Sequence, residues 1–372
     1  MRIRPVCLTL FATAALVVSL LPAAVSAQIG SIPNQKLTSS TAVIDNNPVA
    51  GTYYNASALK TNGAYYLFVH TGWIEAGCSP IGGVFPGDQV LVYRSLSPTS
   101  GFSQVGHLTT CDPNTLWGMG EVIEYGGQYL TTYDHSTSGD DTGKFRFYLA
   151  PLSSTNLTQW QSGPFLFADS SPIQKIIIDP VIYPVSSYRV GVFFRYANTD
   201  FTNVKQGHMF IDFAMSGGKP VWNDYTVSVR NDFGGYTTLP ANRKINFPLG
   251  AVGGLGEIEI NRVLKKGPTW LLFYKEATPS ASGPVCSGLS EGSTMKFRTV
   301  TFDSSGVPTS FGSPQPLAST VSSSPLPRRG RSSVGFPSPI NDGWLLRLYW
   351  SQDNACAGGF GNLDIQHGLL SP

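Results

Sequence analysis

Short runs of alternating or wholly apolar residues recur along the chain, bounded by Gly, Pro, Asn and Ser. No long stretch places its apolar residues with the period of about 3.6 that marks an amphipathic helix. Five runs share one order, in which a strand, a tight turn and an aromatic-rich strand follow one another, at 58–69, 122–133, 181–194, 260–274 and 336–349. This pattern predicts five β-hairpins.

The hairpins belong to a longer repeat. Their anchoring aromatic residues recur at intervals of roughly 60 to 80 residues and are Tyr65, Tyr129, Tyr188, Trp270 and Trp344. A third strand-like run follows each hairpin, at 90–94, 145–149, 209–213, 297–302 and 363–365. We predict an all-β chain folded as a five-bladed β-propeller. A β-sandwich is the first alternative but does not suit one domain of this length, and a right-handed β-helix repeats at a much shorter period.

The N-terminus has the pattern of a secretory signal peptide. Two arginines, Arg2 and Arg4, precede an apolar stretch from about residue 6 to 21, and small residues lead to Ala27. The apolar stretch is shorter than the roughly 20 residues of a membrane anchor. We therefore expect cleavage after Ala27, export to the extracellular space, and a single propeller domain over 28–372.

Composition narrows the class of protein further. Only 13% of the 372 residues are charged, 12% are aromatic, and the chain has 40 Gly and 27 Pro. These values exclude a disordered chain, a collagen and a coiled coil. Loss of Arg2 and Arg4 with the signal peptide takes the formal net charge from +2 to zero. Electrostatics therefore gives no support for binding to nucleic acid or membranes.

Four of the five cysteines remain after the signal peptide is removed. Cys78, Cys111, Cys286 and Cys356 are expected to form two disulfides in an oxidising compartment. Three pairings are open, and we favour Cys78 with Cys111 and Cys286 with Cys356 because these would join neighbouring segments. The spacings are too wide for a zinc site.

In a propeller, the residues that open the innermost strands converge at one mouth of the central channel. In chain order these positions hold Asn55, Glu121, Asp179, and the pair Glu257 and Glu259. Carboxylates at three consecutive blades stand out in a chain that has few of them. Glycoside hydrolysis needs such a convergence, because one carboxyl group donates a proton to the leaving oxygen while another activates water or attacks.

Asn55 and Glu257 at the predicted mouth are candidates for binding substrate, as are other residues near it. His70 and His135 close the second strands of the first two blades, and Arg195 closes that of the third, where it is placed to pair with Asp179. Trp117 offers an aromatic face on which a sugar can stack. A structural role is the alternative for each of the histidines.

Several of these segments resemble glycoside hydrolase family 43. The run Asn-Pro-Val-Ala-Gly-Thr-Tyr-Tyr-Asn-Ala-Ser at 47–57 resembles the opening of that family, which has Asn-Pro, Gly, Tyr and then Asp-Pro-Ser. The segment Trp-Gly-Met-Gly-Glu-Val at 117–122 is similar to the family's Trp-Ala-Pro-(Asp/Glu)-Val with one residue inserted. Ile-Asp-Pro-Val at 178–181 is similar to its third-blade motif, and 256–259 falls where the family has Glu-Gly-Pro.

The resemblance implies a role for each acid. Asp179 would tune the pKa of the proton donor and position substrate, and Glu259, or Glu257 in another register, would be the proton donor. The family's general base is the Asp of Asp-Pro-Ser, where this chain has Asn55, and an amide cannot accept a proton from water at neutral pH. Glu121 and Asp134 are the nearest candidates to replace it, and we favour Glu121 as the substitute base.

Three interpretations of Asn55 stay open: an enzyme with a displaced base, a sugar-binding propeller that has lost hydrolysis, or a propeller with an acid pair of its own. The first interpretation, which we favour, is a secreted enzyme that hydrolyses glycosidic bonds in an arabinose- or xylose-containing polysaccharide. We expect a monomer that binds a polysaccharide or oligosaccharide and needs no cofactor. The resemblance allows a calcium or sodium ion in the channel, although the fifth blade has Ser332 and Ser333 in place of the supporting histidine.

Overall fold

The computed structural model describes residues 37–44, 53–71, 89–108, 115–137, 145–279, 291–319, 334–353 and 363–370. These residues form 23 β-strands and one short helical turn, Ser171–Ile173. The predicted signal peptide and the four cysteines lie outside the described residues, so the cleavage site and the disulfide pairing stay predictions. In the part of the chain that the structure describes, no helix is long and apolar enough to cross a membrane.

The strands form five antiparallel sheets arranged as the blades of a propeller, which confirms the predicted fold. After β1 (Leu37–Ile44), blade 1 contains β2 (Tyr53–Thr61), β3 (Ala64–Thr71), β4 (Gln89–Ser95) and β5 (Ser103–His107). Blade 2 contains β6 (Thr115–Met119), β7 (Ile123–Tyr125), β8 (Gln128–Thr137), β9 (Arg146–Leu152) and β10 (Phe165–Asp169). Blade 3 contains β11 (Ile176–Pro184), β12 (Arg189–Ala197), β13 (Lys205–Ser216), β14 (Lys219–Arg230) and β15 (Tyr236–Thr238).

The last two blades complete the ring. Blade 4 contains β16 (Glu259–Lys266), β17 (Thr269–Pro279), β18 (Glu291–Phe302), β19 (Pro308–Phe311) and β20 (Gln315–Ser319). Blade 5 contains β21 (Val334–Asp342), β22 (Leu345–Asp353) and β23 (Leu363–Leu370), and β1 is its outermost strand. Because β1 pairs with β23, the two ends of the described chain share one sheet, which joins the first blade to the last.

Apolar side chains pack between neighbouring blades. Blades 1 and 2 share a buried cluster that includes Leu59, Phe68 and Tyr129, and a larger cluster joins blades 2 and 3. The inner strands β11 and β16 contact each other, as do β16 and β21, and β2 and β21. These contacts bring the starts of the inner strands together at one end of the channel, which we call the mouth.

Each inner strand is interrupted at the same level, just below the mouth. The pairing shifts at residues 54–55 in β2, 179–180 in β11, 261 in β16 and 336–337 in β21, and residues 120–122 separate β6 from β7. A bulge of this kind turns the bulged residue out of the normal alternation of a strand. The repeated interruption therefore decides which side chains point into the mouth and the channel.

Candidate active site

Asp179 lies in the bulge of β11, with a left-handed backbone φ of 55°. Phe336 in the bulge of β21 has the same φ of 55°, and each residue is followed by proline. Left-handed backbone is costly for residues other than glycine and is kept where surrounding contacts fix it. The bulges of β11 and β21 therefore fix the directions of the Asp179 and Phe336 side chains.

Arg195 joins two acidic side chains at the mouth. Its Nε and Nη2 atoms contact Asp179 Oδ2, and Nη2 also lies 3.4 Å from Glu259 Oε2. The pairing of Arg195 with Asp179 expected from the sequence is therefore present. Asp134 of β8 adds a third carboxylate, because its Oδ2 atom accepts a 3.3 Å hydrogen bond from the Asp179 backbone N–H.

Glu259, the first residue of β16, contacts a second cation. Lys275 Nζ lies 3.3 Å from Glu259 Oε2 and also 4.1 Å from the centre of the Phe336 ring. Blades 2, 3 and 4 thus contribute three carboxylates and two cations to one cluster, while blade 5 contributes an aromatic ring. We call Asp134, Asp179, Arg195, Glu259 and Lys275 the mouth cluster.

The two inner-strand carboxyl groups of the mouth cluster differ in acidity. Removal from solvent raises the pKa of Asp179 above its ordinary value, and the nearby Glu259 charge adds to this, while Arg195 opposes it. The side chain keeps 31% of its exposure, which limits the effect. Burial would also raise the pKa of Glu259, but the charges of Lys275 and Arg195 outweigh it and hold that pKa below its ordinary value.

Glu121 lies in a different environment, buried in the channel. Its Oε2 atom accepts hydrogen bonds of 2.7 Å from Ser57, 3.0 Å from Ser338 and 2.5 Å from Arg262 Nη1. The donors come from blades 1, 5 and 4, so this one carboxylate connects four blades. Burial raises its pKa, and the three donors oppose that shift. The contacts of Glu121 are those of a structural tie across the channel.

Among the residues that the structure describes, the charges around Glu121 do not fit the calcium or sodium ion that the family resemblance allows. The Arg262 guanidinium already compensates Glu121 and also donates a 3.0 Å hydrogen bond to the Val122 carbonyl. A metal ion beside Glu121 would be repelled by this buried cation. Among the described residues, no group of three or more His, Cys, Asp or Glu side chains is arranged to hold a metal.

A chelator is therefore expected to leave the fold intact. Dialysis against EDTA, followed by thermal denaturation with and without added calcium, should give the same Tm within about 1 °C, because the channel charge is balanced by Arg262. A ligand that binds only the native state would instead raise Tm with concentration. A calcium-dependent rise of several degrees would contradict this charge assignment.

The remaining predicted site residues are placed in part. Arg195 belongs to the mouth cluster. Glu257 precedes β16 and is exposed, and among the described residues it makes no contact with the mouth cluster. The backbones of Asn55, His70, Trp117 and His135 lie in β2, β3, β6 and β8, but their side chains are outside what the structure describes. Their roles in binding stay predictions.

The pairing register of β2 affects which of its residues corresponds to Asp179 of β11. In β11, residues 179 and 180 lie between the pairs Ile178 with Arg195 and Val181 with Phe193. In β2 the corresponding interval, between Tyr53 and Ala56, contains Tyr54 and Asn55 in that order. Counted along the ladders, Tyr54 takes the place of Asp179, although the sequence motif aligns Asn55 with it. A shift by one residue reverses the side of a strand that a side chain faces.

Residues with clear contacts in the channel or mouth that were not predicted include Lys275, Phe336 and Arg262. A signal for Lys275 was available, because Phe-Phe-Arg at 193–195 and Phe-Tyr-Lys at 273–275 are the same pattern. Arg195 pairs along the ladder with Ile178, and Lys275 pairs with Glu259, so the two cations occupy equivalent positions in blades 3 and 4. Arg262 and Phe336 carry no comparable repeat signal.

Comparisons with known proteins agree with the fold. The catalytic domain of a family 62 α-L-arabinofuranosidase from Coprinopsis cinerea is similar to this chain, with a TM-score of 0.51, 11% identity, and coverage of 91% of this chain and 97% of that one. The α-L-arabinofuranosidase Arb93A from Fusarium graminearum has a TM-score of 0.50 and 9% identity, with coverage of 90% and 97%. No family model and no curated protein matches the sequence. The chain therefore shares a propeller fold with these enzymes.

Proposed function

We propose that this protein is a secreted glycoside hydrolase that acts on an arabinose- or xylose-containing polysaccharide by carboxylate acid/base catalysis. The observation that carries the proposal is the shared guanidinium of Arg195, which contacts both Asp179 and Glu259 at the mouth. Because both carboxylates contact the same Arg195 nitrogen, one cation holds the proposed proton donor beside a second acid at the mouth, as the convergence of acids in glycoside hydrolysis requires.

Each acid has a proposed task. Glu259 donates a proton to the leaving glycosidic oxygen, and Asp179 shares Arg195 with it, positions substrate and adjusts the pKa of the donor. The charges of Lys275 and Arg195 favour the ionised form of Glu259, so the donor form is populated at acidic pH. The reaction is accordingly proposed to run best below neutral pH.

The general base is better supplied by Asp134 than by Glu121. Asp134 lies in the mouth cluster, where its carboxylate contacts the backbone of Asp179. Glu121 is only 4% exposed and accepts hydrogen bonds from two serines as well as from Arg262, which leaves it poorly placed to activate water. Activation of water by a base requires hydrogen-bond reach to that water.

The substrate class rests on two supports. The motifs shared with glycoside hydrolase family 43 imply an arabinose- or xylose-containing substrate, and the structural neighbours named above are described as α-L-arabinofuranosidases. Export follows from the signal peptide predicted over residues 1–27. An extracellular polysaccharide is consistent with the predicted export and with this substrate class.

The proposal is tested by product release. The protein without its signal peptide is incubated with arabinans, xylans and aryl glycosides from pH 4 to 8, and released sugars are quantified by chromatography. Release that increases with enzyme concentration and is greater at acidic pH supports the proposal. Absence of product from every substrate at every pH, with a folded protein, refutes hydrolysis.

A non-catalytic carbohydrate-binding propeller is the second candidate. It is favoured by Asn55 at the position where the motif has the base, and by the two cations that keep Glu259 ionised. This candidate predicts saturable binding of an oligosaccharide, measured by calorimetry, without product after prolonged incubation. Detection of product that Glu259→Gln abolishes would exclude it.

A further inference from the structure

Lys275 is held from two sides at the mouth. It is the direct ladder partner of Glu259 across β16 and β17, and its Nζ atom lies 3.3 Å from Glu259 Oε2. The same ammonium lies 4.1 Å from the centre of the Phe336 ring, within the range of a cation–π interaction. A lysine on a flexible stem is thus restrained by a carboxylate of blade 4 and a ring of blade 5.

The backbone of β21 fixes the position of the Phe336 ring beside Lys275. Phe336 lies in the bulge of β21 with a φ of 55°, the conformation that Asp179 adopts in β11. Phenylalanine has no side-chain hydrogen bond that would offset the cost of left-handed backbone, so surrounding contacts must maintain it. The bulge places the ring of Phe336 over Lys275 instead of within the regular alternation of the strand.

We propose that Lys275, held between the Glu259 carboxylate and the Phe336 ring, is a positioning residue that fixes the orientation and the ionisation of Glu259. Lys275 acts through Glu259, and we assign it no contact with the reacting atoms. The inference rests on the proposed function for its catalytic consequence, since Glu259 is the proton donor of that reaction. The consequence is that Lys275 sets the highest pH at which the donor remains protonated.

Within the described part of the chain, few charged groups surround Glu259, so the contribution of Lys275 can be isolated. From β11 and β12, Asp179 and Arg195 face it, and Asp134 of β8 lies beyond Asp179. Asn261 of its own strand donates a hydrogen bond that favours the ionised form. On β17, Glu276 is engaged by Lys296. Phe336 is the neighbour on β21 and carries no charge.

The test is the pH dependence of kcat/KM for Lys275→Met, which removes the charge and keeps the length of the side chain. An opposite charge in contact lowers a carboxyl pKa by about 1 to 3 units, so its removal should raise the pKa of Glu259. A proton donor is active below its pKa. The alkaline limb of the profile is therefore expected to move to higher pH by about 1 to 3 units.

Two variants make this readout specific. Lys275→Arg restores the cation and should return the limb close to that of the wild type. Lys296→Met makes the same substitution in the ion pair with Glu276, one strand further from the channel, and should leave the limb unchanged. An unchanged limb in Lys275→Met, or an equal shift in Lys296→Met, would overturn the proposal.

A second measurement separates this inference from the proposed function. The coupling between Lys275→Met and Glu259→Gln in urea denaturation can be measured without turnover, at pH 7 and pH 3. Glu259 has a lowered pKa in the folded state, so its pairing stabilises the protein above the unfolded pKa and weakens as pH falls through the folded one. Coupling at pH 7 that decreases at pH 3 supports the role of Lys275 even if no substrate is cleaved. No coupling at pH 7 would refute it.

Discussion

Glu259→Gln is expected to lower kcat/KM by about 100-fold to 10,000-fold, the usual contribution of a general acid. Glutamine preserves the volume of the side chain and one acceptor oxygen, but its amide is far too weak an acid to protonate the leaving oxygen. Lys275 and Arg195 keep partial solvent exposure, so loss of one negative charge should not unfold the mouth. Steady-state kinetics gives the loss of turnover, and calorimetry with an unreactive oligosaccharide should show that binding persists.

Glu257→Gln is the matched control for this experiment. Glu257 lies two residues earlier in the chain, is exposed, and precedes the strand that carries Glu259 into the cluster. The same chemical change at that position should leave kcat/KM within about twofold of the wild type, because an exposed charge is screened by solvent. If the two variants lost activity equally, or if only Glu257→Gln did, the proton donor would have to be reassigned to Glu257.

Arg262→Met is expected to destabilise the fold by about 3 to 5 kcal/mol, the typical cost of leaving one member of a buried ion pair without its partner. Arg262 is 7% exposed and Glu121 is 4% exposed, so solvent cannot replace the lost contact. Glu121 would retain only the two serine hydroxyls as donors. Equilibrium urea denaturation, followed by tryptophan fluorescence, measures the change in the free energy of unfolding.

Two variants show whether the buried charge is the cause. Glu121→Leu combined with Arg262→Met removes both charges and should recover part of the lost stability, although Ser57 and Ser338 then lose their acceptor. Lys296→Met breaks the pair with Glu276, in which both side chains are partly exposed, and should cost about 0 to 1 kcal/mol. A loss of stability in Arg262→Met no larger than in Lys296→Met would contradict a tie across the channel.

The propeller was predictable because each of its five repeats has a recognisable pattern over a short stretch of sequence. Each hairpin combines an apolar strand, a turn and an aromatic strand, and the structure contains all five. The closure of the ring was not predicted, because the pairing of β1 with β23 joins segments from opposite ends of the chain. Two of the anchoring aromatics, Tyr188 and Trp344, proved to be exposed residues that directly precede the second strand of their hairpins.

The candidate site was predictable where one blade supplies both partners. Arg195 and Asp179 are on adjacent strands of blade 3, and the spacing of the hairpin indicates their pairing. Contacts across the channel carry no such signal. The partners of Glu121 are Ser57, Arg262 and Ser338, which lie 64, 141 and 217 residues away in the chain. Only the assembled ring could place that carboxylate in a structural tie across the channel.

The central claim is that the mouth cluster is where the protein acts on a sugar, and Asp179→Asn tests it most directly beside Asp212→Asn. Both aspartates pair with an arginine of β12, Asp179 with Arg195 at the mouth and Asp212 with Arg189 at the other end of the blade. Product release from the best substrate should fall at least tenfold in Asp179→Asn and stay near the wild-type rate in Asp212→Asn. Equal rates in the wild type and in both variants would contradict the account.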